Sequence, residues 1–253
     1  MTQPPPLFRR QPDASPLIGA HRGAHGGERP ENTAAAFRRA IELECDLVEL
    51  DVRRTADGEL LVFHDAAIGG RTVAAMTAAE ARGAAARHGI DIPTLDEALG
   101  ICAGRIVVDI EIKDTVAAAA AAATAARLLP PGSFLLSSFS LRALRIVRRM
   151  FPALPRGWIV GRAVPGGWRM LAGLATGPLA GLAGCPACLI LDHRLAVAGS
   201  AGGRDAPALP WLAWTVNDPA EAGRLADLGA WVLITDVPDT LLAWRRERRG
   251  AGR

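Results

Sequence analysis

The residues best placed to do chemistry are acidic pairs and histidines that close short apolar runs. In Leu47-Val48-Glu49-Leu50-Asp51-Val52, Glu49 and Asp51 stand two positions apart and so project from the same side of a strand. Two carboxylates on one face repel each other unless a cation sits between them. A second run, Ile106 to Ile112, is almost wholly apolar until Glu111-Ile112-Lys113, where the same period aims both charges one way. Glu49, Asp51 and Glu111 would together make an all-oxygen cage, which suits a hard cation such as Mg2+ or Ca2+ better than zinc. Arg22 and Lys113 add positive charge around the cage, and His21 and His64 add two imidazoles able to move protons. Carboxylates for a metal, cations for an anion and a pair of acid-base groups point to cleavage of a phosphate ester.

The elements that must position these groups are legible in the same stretch. Leu17 to Ala20 is a short apolar run stopped by His21-Arg22-Gly23, a strand whose end delivers polar side chains. Gly23, Gly26 and Gly27 let the chain turn, and Pro30-Glu31-Asn32-Thr33 carries the proline, cap and carboxylate of a helix start. Phe37, Ala40 and Ile41 then form an apolar helical face. Asp57-Gly58 is a hairpin turn after the Glu49-Asp51 strand, and Glu59 to Phe63 returns as a further strand ending in His64-Asp65.

At this point the order of motifs resembles the glycerophosphodiester phosphodiesterase family. The resemblance runs through His21-Arg22-Gly23, Pro30-Glu31-Asn32-Thr33, Glu49-Leu50-Asp51-Val52, Asp57-Gly58 and His64-Asp65. It continues through Ile92-Pro93-Thr94-Leu95, Glu111-Ile112-Lys113, Ser137-Ser138-Phe139, Trp214-Thr215-Val216-Asn217 and Ile234-Thr235-Asp236, covering nearly the whole chain. It implies a (β/α)8 TIM barrel and hydrolysis of a glycerophosphodiester to sn-glycerol 3-phosphate and an alcohol. It also implies a divalent cation, Mg2+ or Ca2+, on Glu49, Asp51 and Glu111, with Arg22 and Lys113 on the phosphate and Trp214 as a substrate wall. His21 and His64 would exchange the proton between nucleophile and leaving group. A route in which the glycerol 2-hydroxyl attacks first, giving a cyclic phosphate that water opens, is left open by the motifs.

The rest of the chain fits one large domain. Its 253 residues are the usual length of an eight-fold α/β barrel, and half of them are apolar. After Lys113 helices and strands alternate strictly, which demands a parallel sheet, and eight strands counted from Leu17 imply closure. The barrel is expected over 17–246, with a small insertion at 65–104 between the second and third barrel strands. A disordered tail is expected at 1–16 and a basic one at 247–253. Leu195 to Pro210 is rich in Gly, Ala and Pro where the sixth helix should stand, so that helix is expected to be short or replaced by a loop.

Charge and composition exclude several partners. The formal charge is only +3, and the arginines crowding Arg245 to Arg253 have no interleaved aromatics, so they read as a solvated helix end rather than a nucleic-acid surface. The proline-rich start lacks the apolar core of a signal peptide, which predicts a cytoplasmic protein. Ala117 to Ala126 is too short to span a bilayer, so no stable membrane insertion is expected. Cys185 and Cys188 lack further ligands at zinc spacing and, like Cys45 and Cys102, read as small core residues. His25, His88 and His193 match no motif and read as surface or loop residues, though His25 lies near His21. Two rival functions remain. One is lysophospholipase D-type head-group cleavage, for which Trp168, Met170 and Leu171 could form an apolar lip. The other is a non-catalytic binding barrel, against which the intact histidines and carboxylates argue.

Overall fold

The computed structural model describes residues 15–161, 186–195 and 209–251. Eight parallel strands run in a ring: β1 (Leu17–Ala20), β2 (Leu47–Arg54), β6 (Val107–Ile112), β7 (Phe134–Ser138), β8 (Arg156–Val160), β9 (Cys188–Asp192), β10 (Trp211–Trp214) and β11 (Val232–Thr235). β1 pairs with both β2 and β11, which closes the barrel and confirms the expected eight-stranded parallel architecture. Every residue of β2 from Leu47 to Val52 is buried, because a barrel strand is covered by side chains inside and by helices outside.

The two faces of each strand make two cores. Leu47, Leu135, Ile159, Cys188, Ile190, Leu212, Val232 and Ile234 form one cluster, the barrel interior. Ile18, Val48, Leu50, Val108, Ile110 and Leu136 point the other way into the layer shared with the helices. Gly157 belongs to the interior face, and a Cβ there would sit 2.8 Å from Ile190 Cδ1, so any larger residue would force the packing apart.

The hairpin strand β3 (Leu60–Val62) pairs antiparallel with the outer end of β2, matching Val52 with Val62 and Arg54 with Leu60. This pairing carries β2 two residues beyond the expected Val52. The insertion then holds a two-stranded ribbon, β4 (Ala67–Ile68) and β5 (Arg71–Thr72), and helix α2 (Ala78–Ala86). It has its own small core around Leu61, Val73, Met76, Ala84 and Ile92.

The helix starts follow from side-chain caps. Thr33 accepts from Ala36 N to open α1 (Ala34–Glu42), and Thr77 and Thr94 make complete capping boxes with Glu80 and Glu97 at α2 and α3 (Leu95–Cys102). α4 (Ala118–Leu128) buries Ala118, Ala121, Ala122 and Ala125, a smooth face that packs between α3 and α5 (Leu141–Met150). α6 (Pro219–Asp227) begins with Pro after the Asp218 cap. α7 spans Pro238–Ala251, so residues 247–251 are helix and not the expected tail. Arg245 is buried and paired with Asp46, whose Oδ2 also accepts Ile18 N at 2.8 Å, and Arg248 pairs with Asp227 at 2.5 Å. Arg245 thus pins the last helix to the barrel, which corrects its reading as part of a solvated end, whereas Arg246, Arg248 and Arg249 are exposed as expected.

Cys45, Cys102 and Cys188 are buried free thiols. No helix among the described residues is long and apolar enough to cross a membrane. Cys185, the expected lip at Trp168 to Leu171 and most of the irregular stretch 195–210 lie outside the described residues.

Candidate active site

The carboxylates meet because β2 and β6 are parallel neighbours in register, with Glu49 beside Asp109 and Asp51 beside Glu111. One ligand atom each from Glu49, Asp51 and Glu111 lies within 4.8 Å of the others. Like charges at that separation repel by about 3 kcal/mol per pair at an effective dielectric near 20. Two cations answer them. Lys113 Nζ stands 2.7 Å from Glu111 Oε1 and 3.2 Å from Asp51 Oδ1, and Arg22 Nε stands 3.3 Å from Asp51 Oδ2. Three carboxylates against two cations leave the cluster short of positive charge.

The protonation behaviour shows that shortfall. Burial, with Asp51 close by, raises the Glu49 carboxyl well above the usual range. Burial and Asp51 likewise lift Glu111 to about 7, against the pull of Lys113. For Asp51 burial also pushes upward, but Lys113, Arg22 and the Asn32 amide outweigh it and hold the group low. Glu49 Oε1 is buried without a hydrogen-bond partner. An orphaned oxygen in an oxygen-only cage of three carboxylates fits a hard divalent cation.

The acid-base candidates flank this cage. His21 follows β1, with Nε2 4.0 Å from Glu49 Oε2 and Nδ1 2.7 Å from Asp236 Oδ1. Burial raises the Asp236 carboxyl, but hydrogen bonds from His21, His25 and Asn217 prevail and keep it ionised. An ionised carboxylate can only accept, so a hydrogen rests on His21 Nδ1, and in the neutral ring the lone pair is then on Nε2, the nitrogen that faces Glu49. His64 follows β3, its Nδ1 2.8 Å from Asp65 Oδ1. His21, Arg22, Glu49, His64, Glu111, Lys113 and Trp214 all line one cavity of about 130 Å³. Asp51 joins them through Lys113 and the cage, so the predicted set comes together.

Details differ from the sequence expectations. Arg22 does not stand free for an anion: it sits at φ 52° with its guanidinium on Glu31 at 2.8 Å, while its backbone N donates to Glu49 Oε2 at 2.9 Å. Asn32, read only as part of a helix start, adopts φ 56° and donates from Nδ2 to Asp51 Oδ2 at 2.8 Å. Trp214 forms an edge contact with the half-exposed Phe139, ring centroids 5.6 Å apart, and its Nε1 is buried without a partner. His25 stands in a partly exposed loop, as expected, but its Nε2 lies 3.3 Å from Asp236 Oδ1, and His193 reaches Glu221 at 3.3 Å.

Four contributors were missed. Asp109 is buried in the cavity wall two residues before Glu111, and burial raises it to about 7. Its signal was present in the same period-two spacing that exposed Glu111. Asp236 and Asn217 stand in the motifs that carry the family resemblance but were given no role; Asn217 Nδ2 donates to Asp236 Oδ2 at 2.8 Å. Arg53 donates from Nε to the His64 carbonyl at 2.8 Å and from NH1 to Asp114 Oδ1 at 2.7 Å, a clamp with no signature in local sequence.

Comparison with known proteins places the chain among relatives of one family and fold. Residues 21–240 match the Glycerophosphoryl diester phosphodiesterase family. A glycerophosphodiester phosphodiesterase from Caldanaerobacter subterraneus is 30% identical over 244 residues, covering 89% of this chain and 96% of the relative. A phosphodiesterase from Oleispira antarctica, solved in complex with the product sn-glycerol-3-phosphate, superposes with a TM-score of 0.73 at 25% identity, covering 90% of this chain and 96% of that one. A solved structure from Agrobacterium tumefaciens has the same fold, with a TM-score of 0.77 at 24% identity over 93% of this chain and 99% of that one. The chain thus belongs to the glycerophosphoryl diester phosphodiesterase family.

Proposed function

We propose that this protein hydrolyses glycerophosphodiesters to sn-glycerol 3-phosphate and an alcohol, with a hard divalent cation, Mg2+ or Ca2+, held by Glu49, Asp51 and Glu111. The observation that carries the reading is the meeting of those three carboxylates and two cations with His21, from barrel strands or the segments just after them, and with His64 from the end of the β3 hairpin, in one cavity of a fold whose catalytic groups gather at the C-terminal ends of the strands. The cation, when bound, supplies charge neutralisation to the phosphate oxygens. Lys113 and Arg22 extend the positive field at the same mouth. His21 accepts a proton at Nε2, because Asp236 keeps the hydrogen on Nδ1. His64, in the lining of the same cavity and held by Arg53 through its carbonyl, returns a proton to the leaving alcohol. Phe139 and Trp214 give the substrate an apolar wall.

A second reading is head-group cleavage of lysophospholipids. It draws on Phe139, 45% exposed, and Val116, 65% exposed, both on segments that follow barrel strands. Turnover of glycerophosphocholine and lysophosphatidylcholine, measured side by side with and without EDTA, tests both. Faster hydrolysis of glycerophosphocholine, abolished by EDTA and restored by Mg2+ or Ca2+, is expected. Activity that survives exhaustive chelation would remove the metal, and preference for the lysolipid would favour the second reading.

A further inference from the structure

The turn after β1 brings a second set of ligand atoms together, apart from the carboxylate cage. One ligand atom each from His21, His25 and Asp236 lies within 4.8 Å of the others, and His21 Nδ1 and His25 Nε2 both approach Asp236 Oδ1, at 2.7 and 3.3 Å. The loop gets there by folding on itself, with glycines in the left-handed region at Gly23 and Gly26 and a backbone bridge between Gly26 and Arg29. The side chain of His25 pairs with Asp236 and has no part in the proposed proton transfers.

We propose that His21, His25 and Asp236 form an inhibitory site for a borderline transition-metal ion, of which Zn2+ is the type, and that its occupation disables His21 by reversing its tautomer. Two imidazoles and one carboxylate form a donor set typical of zinc, whereas the neighbouring all-oxygen cage favours hard cations. Metal-ligand distances of about 2.0–2.2 Å put two ligand atoms of a tetrahedral site about 3.4 Å apart. His25 Nε2 and Asp236 Oδ1, at 3.3 Å, already have that spacing. His21 Nδ1 and Asp236 Oδ1, at 2.7 Å, are joined by the hydrogen that the metal would replace, and must part by about 0.7 Å to reach it. The outer support is in place as well. Asn217 Nδ2 holds the other oxygen of Asp236 at 2.8 Å, and Asn217 Oδ1 accepts the Asp236 backbone N–H at 2.9 Å. The side chains of His21, His25 and Asp236 are 14%, 22% and 33% exposed, which leaves an approach for the ion and for water as a further ligand.

The consequence follows from the two nitrogens of one ring. With Asp236 accepting from Nδ1, the neutral imidazole keeps its lone pair on Nε2. With a metal on Nδ1, the neutral ring must carry its hydrogen on Nε2, so that atom can no longer accept a proton. The hydrogen leaves Nδ1 to solvent and another is taken up at Nε2, with no net change in ring charge. This loss of activity rests on the proposed role of His21, but binding of the ion does not.

The test uses the full chain with saturating Mg2+, comparing wild type with His25→Ala and His25→Gln. Zn2+ binding is followed by calorimetry, and the His21 tautomer by 15N shifts of the imidazole. One Zn2+ per chain should bind the wild type, both variants should bind it at least about tenfold more weakly, and both should keep the zinc-free rate. Inhibition by Zn2+ should weaken in parallel and should not be reversed by further Mg2+. Unchanged Zn2+ affinity in both variants, or inhibition that added Mg2+ reverses, would overturn the site, because either result puts the ion in the carboxylate cage. If zinc binds as expected but no phosphodiester is turned over, the site stands and the proposed activity fails.

Discussion

Asn32 and Asp51 are joined twice: the Asn32 amide nitrogen donates to Asp51 Oδ2 at 2.8 Å, and its oxygen accepts the Asp51 backbone N–H at 3.2 Å. A single side chain before α1 thereby sets both the orientation and the height of the central carboxylate of the cage. Removing a support of this kind commonly costs 10- to 100-fold in metal affinity, and about that loss is expected for Asn32→Ala in a Mg2+ titration. Asn32→Asp should do worse, since it places a fourth charge against Asp51. Wild-type affinity in Asn32→Ala would show that Asp51 is held by Lys113 and Arg22 alone.

Metal affinity should depend on pH with a definite sign. Glu111 is lifted to about 7 and Glu49 is raised as well, both chiefly by burial. A raised carboxyl keeps its proton as pH falls through that value, and a protonated carboxyl is a poor ligand. Mg2+ binding should therefore weaken by about tenfold for each such group on going one unit below its pKa, and strengthen again above it. Glu111→Gln should flatten the dependence while lowering affinity overall. Calorimetric titrations across neutral pH provide the check.

His21→Ala and His64→Ala should each lose about 10² to 10⁴-fold in turnover with metal binding retained, because neither imidazole is assigned to the cage. If the two histidines act as one relay, the double variant should fall little below the worse single one. The bell-shaped pH profile should lose one limb in each single variant. A rate for His64→Ala within about threefold of wild type would take that residue out of the proton transfer, which is otherwise expected to contribute at least 10²-fold.

Arg53 should act through His64. Its side chain is only 12% exposed and bridges the His64 carbonyl and Asp114, so it ties the end of β3 to the segment after Lys113. Arg53→Met is expected to lower kcat by up to about 10²-fold by letting the imidazole drift, with little change in KM. In the His64→Ala background the same substitution should cost almost nothing. Equal losses in both backgrounds would assign Arg53 a general structural part.

What the order of residues determined by itself is what depends on near neighbours. Apolar runs of period two and 3.6, caps such as Thr77 and Thr94, and the Asp57-Gly58 turn were legible because each is decided within one element. Glu49, Asp51 and Glu111 were legible for the same reason, since alternation along a strand dictates the face before any partner is known. The sharing of Asp236 by His21 and His25, by contrast, spans 215 and 211 positions. It exists because ring closure pairs Ala20 with Thr235 and so brings the next residue of each strand abreast. The Arg53 clamp spans 61 positions to Asp114 and depends on β2 and β6 lying side by side. Contacts of that range are decided by register and closure, which only the folded barrel supplies, because local propensity carries no information about which distant strand becomes the neighbour.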